Sequence, residues 1–196
     1  MKLDSMRVEG TENGIAAIED NSVRLRAKAK TDWFFAPSGK SRVANVTRVV
    51  REIDEQHFAL SARVSVEFAS AYDAGAIFIA CDDNNWAKIA FEFSAARKPT
   101  IVSVVTRGTS DDSDGPRHFG DHVWLRAYCD GETIAFHFSE DGKYWNFLRW
   151  FTLPGVERRP VRIGLGVQSP TGEGTTAVFS DVQLSVAKIS DLRNGQ

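Results

Sequence analysis

At 196 residues and 21.7 kDa the chain has room for one large domain, and no Pro/Ser/Gly-rich linker or charge block divides it. Its 24 basic and 26 acidic residues nearly cancel and gather into no basic stripe, which excludes the footprint of a nucleic-acid binder. No stretch approaches the roughly 20 apolar residues that cross a bilayer and the N-terminus lacks a signal-peptide pattern, so a cytoplasmic protein with no membrane or nucleic-acid partner is expected.

Residues 14–19 and 22–30 read as the first strands, split by an Asp20-Asn21 turn. In the second, Val23, Leu25, Ala27 and Ala29 alternate with Arg24, Arg26, Lys28 and Lys30, so the basic residues share one solvated face. Thr31-Asp32-Trp33-Phe34-Phe35 sets three aromatics in a row, either core or the wall of a binding site. After a loop at 36–40, residues 45–52 make a short strand. The strongest pattern lies at 57–68. There Phe58, Leu60, Ala62, Val64, Val66 and Phe68 recur every second residue, as one buried sheet face requires and no helix allows.

A Tyr72-Asp73-Ala74-Gly75 corner leads into a continuous apolar run at 75–81, expected to be covered on both faces. Asp82-Asp83-Asn84-Asn85 then supplies a hairpin turn; it lacks the ligand spacing of a calcium loop. Residues 85–93 form a second alternating strand, and 100–107 a β-branched one. Residues 108–116 are the most polar stretch and read as a long loop. Strands at 123–129 and 132–139 pair across Asp130-Gly131, residues 143–151 extend the meander, and 161–168 and 175–186 close the fold. The tail 190–196 is expected to fray. About twelve or thirteen strands and no helix predict an all-β, two-sheet antiparallel sandwich, one domain over residues 1–196 with its core at about 11–186.

Chemistry is harder to place. Cys81 and Cys129 read as reduced core thiols, no His or Cys has metal-ligand spacing, and no cofactor is implied. Ser139-Glu140-Asp141-Gly142-Lys143-Tyr144-Trp145 has the form of an Asp box, in which carboxylate and hydroxyl bond turn amides. The best candidate site is the polar face of 85–93: Trp86, Lys88 and Glu92, at i, i+2 and i+6, share one side of a strand. An indole offers a flat plate to a sugar's C–H face, and the two charges offer partners for its hydroxyls. Thr106 and Arg126, from strands taken to be neighbours, would join them, with Trp33 as a second stacking ring and Ser110 and Asp111 in the adjoining loop.

The motifs at 31–34, 72–75, 85–88, 91–93 and 104–111, followed by Val123-Trp124-Leu125-Arg126, the Asp box and Phe179-Ser180-Asp181-Val182, resemble the family known as domain of unknown function 1349. The likeness runs from about residue 11 to 186. It implies a concanavalin-A-like lectin/glucanase jelly roll, a superfamily whose members commonly hold saccharides on the concave sheet. A lectin-like binding module with a saccharide ligand, as monomer or homodimer, is therefore the expected function. Two alternatives stand beside it: a carbohydrate-active enzyme, which would need two carboxylates flanking a glycosidic bond, and a dimeric regulatory protein without a small ligand. The Glu-x-Asp-x-x-Glu run of laminarinase-like relatives is absent, which favours binding over catalysis.

Overall fold

The computed structural model describes residues 6–186 and 188–195. Sixteen strands run in chain order: β1 (Arg7–Glu9), β2 (Gly14–Glu19), β3 (Ser22–Lys28), β4 (Trp33–Phe35), β5 (Arg42–Ala44), β6 (Thr47–Ile53), β7 (Phe58–Val66), β8 (Ala74–Ala80), β9 (Asn85–Phe93), β10 (Pro99–Arg107), β11 (Thr109–Arg117), β12 (His122–Cys129), β13 (Ile134–Ser139), β14 (Asn146–Phe151), β15 (Val161–Gln168) and β16 (Gly174–Ser185). One 3-10 turn, Thr11–Asn13, is the only helical element among the described residues.

Two antiparallel seven-stranded sheets stack face to face. The first has the order β1-β6-β15-β8-β9-β10-β11, the second β14-β13-β12-β7-β16-β3-β2, and β4-β5 forms a separate hairpin. This is the expected jelly-roll sandwich. Its core is the set of alternate residues that the sequence patterns pointed inward: Phe58, Leu60, Ala62 and Val64 of β7 meet Ile77, Ile79, Ala87, Ile89 and Phe91 of β8 and β9. At about 25 cal/mol per Å² of apolar surface removed from water, these facing rows supply the main drive to stack the sheets.

The run at β8 is buried on both faces, as its unbroken apolar sequence requires: Ile77 and Ile79 lie in the central core, while Phe78 packs outward into a second cluster with Trp33 and Trp86. Hairpin turns form at both predicted places. Asp82 Oδ1 accepts the amides of Asn84 and Asn85, and Asp130 Oδ1 accepts those of Glu132 and Thr133. In the Asp box, Asp141 Oδ1 accepts the amides of Lys143 and Tyr144 and the Ser139 hydroxyl, which makes it a turn device.

Two expectations are overturned. The polar stretch after Gly108 is an edge strand, not a loop: Gly108, with φ +78°, turns the chain on the spot, and β11 pairs with β10 from Arg107↔Thr109 to Thr100↔Arg117. A charged, Pro-containing strand at the sheet margin resists pairing with other chains, so it carries no apolar period to betray it. Residues 190–195 of the tail also dock instead of fraying, and Gln196 lies outside the described residues. His137 Nε2 donates to the Leu192 carbonyl at 2.7 Å, Arg126 Nη2 donates to the Gly195 carbonyl, and Gly195 is buried.

Candidate functional site

The site is built on the outward side of the first sheet. Because side chains alternate along a strand, Trp86, Lys88, Ala90 and Glu92 of β9 all point away from the core. Register then fixes their neighbours: Thr106, Val104 and Thr100 of β10 stand opposite Trp86, Lys88 and Glu92, and Ser110, Asp112 and Asp114 of β11 stand opposite Thr106, Val104 and Val102. The predicted row on β9 therefore exists. Its two ends have different surroundings.

At the Trp86 end the β4-β5 hairpin lies across the sheet. Trp33 stacks on Trp86 at 4.2 Å between ring centres, Phe35 meets it edge-on at 5.5 Å, and Phe78 meets Trp33 at 5.1 Å. Closing the hairpin over β8 and β9 buries Trp33 and Phe35, the first and third of the three adjacent aromatics, at about 1.5–3 kcal/mol per ring. Polar groups under the hairpin hold it down: the Phe35 amide donates to Ser110 Oγ at 3.0 Å, and Ser110 Oγ shares a 2.8 Å hydrogen bond with Thr106 Oγ1. Trp86, Thr106 and Ser110, expected to touch ligand, are instead packed beneath this flap, and Trp33, expected to stack on ligand, is the flap residue that buries its own ring against Trp86.

Arg126 and Asp111 also leave the site. Arg126 sits on β12 between β7 and β13, in the second sheet, where it lies 4.3 Å over the Trp145 ring under the C-terminal segment. Burial lowers its pKa to about 10. Asp111, one step out of phase with Ser110, points the other way along β11 and pairs with Arg149 at 2.7 Å.

Lys88 and Glu92 remain, and they floor a cleft of about 600 Å³. That volume is of the order found for small-molecule sites, roughly 300–1,000 Å³. Val102, Val104, Asp112 and Asp114 continue the floor, and Asp32, Phe34, Tyr72, Gln168 and Pro170 rise around it. The Lys88 ammonium donates to the Trp33 carbonyl at 2.8 Å and to Gln168 Oε1 at 2.6 Å, and Gln168 Nε2 donates to the Tyr72 carbonyl at 3.3 Å. This chain of bonds ties the flap, the floor and the Tyr72 corner together. The corner is fixed in turn by buried Asp73, whose Oδ2 accepts the amides of Ala69 and Ser70 while Oδ1 accepts the Ser169 hydroxyl.

The electrostatics are those of charge held away from water. Burial lowers the Lys88 pKa, against the raising influence of Asp32, Glu92 and Asp112. Burial raises Glu92 to about 8, against the pull of Lys88, with Asp114, Asp32 and Asp112 adding to the rise. Glu92 is thus mostly a neutral acid at pH 7. Asp32 is likewise raised by burial, with Lys88 and the Trp33 amide opposing. The sequence reading missed Asp32, Tyr72, Asp112, Asp114 and Gln168. Asp112 and Asp114 follow from period two once 109–117 is taken as a strand; the others arrive from distant segments and carry no local signal.

Fold and site together define a two-sheet antiparallel jelly-roll sandwich with a polar cleft over the outer side of one sheet. The chain belongs to the family described as Protein of unknown function (DUF1349), whose model matches residues 11–187. A search of curated proteins finds no match. Among solved structures, a functionally unknown protein from Saccharomyces cerevisiae is similar over 96% of this chain and 100% of that chain, with a TM-score of 0.86 and 23% identity. The GH43 BlXynB protein from Bacillus licheniformis is similar over 87% of this chain and 38% of that chain (TM-score 0.66, 14% identity). The carbohydrate binding module CBM66 from Bacillus subtilis is similar over 92% and 94% (TM-score 0.58, 12% identity). At these identities the likeness is one of fold.

Proposed function

We propose that the protein binds a saccharide in the cleft over β9. The observation that carries this reading is the cleft's make-up: a floor that mixes buried polar groups with valines, beside the partly exposed rings of Phe34 and Tyr72. Tyr72 is 40% exposed and held at φ +70° by its corner, so its ring is presented to a ligand by a backbone that is itself fixed. The stacking role expected of Trp86 passes to these two rings. Carboxylates accept hydrogen bonds from sugar hydroxyls, and neutral Glu92 can also donate one. A carbohydrate-binding module and GH43 proteins with the same fold support the ligand class. Titration with an oligosaccharide panel tests the reading: at least one glycan should bind, and Tyr72→Ala should weaken it at least fivefold. No binding across the panel, or equal binding by both proteins, overturns it.

A second reading, glycoside hydrolysis, is favoured by one observation: an acid raised to about 8, Glu92, shares its cleft with Asp112 and Asp114. Glycosidases divide the roles of proton donor and base or nucleophile between two such groups. Turnover of a chromogenic glycoside that disappears in Glu92→Gln would establish it, and inertness across the panel would remove it.

A further inference from the structure

Within the cleft, charge is unbalanced. Asp32, Glu92, Asp112 and Asp114 line it, and Lys88 is the one basic side chain among its described lining residues. Lys88 does not neutralise them by contact: its ammonium is spent on the Trp33 carbonyl and Gln168 Oε1, and no ion pair joins it to any of the four among the described residues. Glu92 is the decisive group. It is only 8% exposed, it borders the open cleft, and among the described residues no hydrogen bond reaches its carboxyl. A buried polar group without a partner costs about 1–3 kcal/mol, and natural folds rarely leave one so unless something else supplies the partner.

A partner that donates hydrogen bonds suits the ionised carboxyl, and positive charge suits it best, because three further carboxyl groups surround the spot. The rings of Phe34 and Tyr72 also favour a cation over their faces. Resting on the saccharide reading above, we infer that the ligand is an amino sugar, whose protonated amine sits against Glu92 with Asp112 and Asp114 as outer counter-charges while its ring lies along Tyr72. Burial holds Glu92 near 8; an arriving ammonium is the opposite charge that returns it to the carboxylate.

Calorimetric titration of the full chain at pH 6.5 would compare oligomers of glucosamine, N-acetylglucosamine and glucose, with spermidine as an amine lacking a sugar. Glucosamine oligomers should bind at least tenfold more tightly than the other two sugars. That preference should shrink severalfold between 50 mM and 500 mM salt, where screening weakens exposed charge pairs. Glu92→Gln, which keeps the shape, and Asp112→Asn/Asp114→Asn should each reduce the preference, with folding checked by circular dichroism. The salt series on the unmodified protein stands even where a variant fails to fold. Equal affinity for all three sugars overturns the amine assignment and leaves the saccharide reading intact. Spermidine binding alone, or no binding by any of the three sugars, overturns the amino-sugar assignment, while the saccharide reading falls only if the whole oligosaccharide panel also fails to bind.

Discussion

On the outer side of the second sheet, Arg126 and His137 are buried beneath the C-terminal segment; on the outer side of the first, Lys88 and Glu92 lie beneath or beside the β4-β5 flap. Each pair shares one sheet face, Arg126 and His137 as cross-strand partners and Lys88 and Glu92 along β9 with Ala90 between them. The second sheet answers its buried charge with the protein's own chain. Backbone carbonyls of Leu192 and Gly195 accept from the two side chains, Trp145 lies under the guanidinium, and the face is closed. The first sheet answers only half: Lys88 makes two hydrogen bonds, whereas Glu92 faces an open cleft with no donor among the described residues. Burying charge is costly enough that each group needs a partner. The second face is sealed, with Arg126 Nε and His137 Nδ1 left unpaired beneath the tail, and reads as structure; the first opens onto a cleft at Glu92 and reads as a site.

The largest test strikes the bonded member of the first pair. Lys88→Met would leave the Trp33 carbonyl and Gln168 Oε1 without their donor and remove the one cation facing Glu92 and Asp32. Leaving a buried acceptor without its donor costs about 1–3 kcal/mol each, so with two acceptors orphaned urea unfolding should show a loss of about 2–4 kcal/mol. Adding Glu92→Gln should recover part of it, since the two groups are coupled. A loss below about 1 kcal/mol would mean that Lys88 does not organise the cleft.

The second sheet makes a pH prediction of the next size. Burial pushes His137 down to about 4, from an ordinary value of 6.5, with nearby Arg126 acting the same way and the Leu192 carbonyl opposing. The unfolded chain therefore takes up the proton more readily than the folded one. Stability from this group is complete above about pH 6.5 and is lost as pH falls toward 4, amounting to about 2 kcal/mol by pH 5. His137 Nδ1 has no partner among the described residues, so a proton there would find no acceptor. His137→Gln should flatten the pH 6.5–4 limb of the stability curve, and if that limb is unchanged the tail is not held by neutral imidazole.

A third test addresses the flap. Ser110→Ala would leave the buried Phe35 amide without its acceptor, at about 1–3 kcal/mol. Faster hydrogen exchange at that amide, with little change in the sandwich core, is the expected pattern. Protection unchanged at Phe35 would mean the aromatic packing alone seats the hairpin.

These same residues show what the sequence makes legible. Strand β7 and the two-faced burial of β8 follow from period two and from its absence, because hydrophobic burial acts on every residue of a strand. The shared face of Lys88 and Glu92 is likewise a local consequence of the pleat. Which face is covered, and by what, is not local. Trp86 looked available because nothing near it in sequence announces that Trp33, over fifty residues earlier, folds back on it. Arg126 looked adjacent because strand order within a sheet is set by the topology, which places β12 beside β7 and not beside β9 or β10. The strand β11 escaped because an edge strand guarded by charge has the composition of a loop.

Asp111 offers the smallest effect and a control on the comparison. It joins the edges of the two sheets, β11 to β14, through its 2.7 Å pair with Arg149, but its side chain is 64% exposed. Exposed pairs contribute only about 0.2–1 kcal/mol, because water screens the attraction and two side chains must be held still. Asp111→Ala should therefore lower stability by no more than that, and less at high salt. Its carboxylate is on the opposite side of β11 from Asp112 and Asp114, so sugar affinity should be unchanged within twofold. Should Asp111→Ala weaken binding as strongly as Asp112→Asn, the alternation that assigns β11 residues to cleft or edge would be wrong, and with it the separation of a charged structural seam from a charged site.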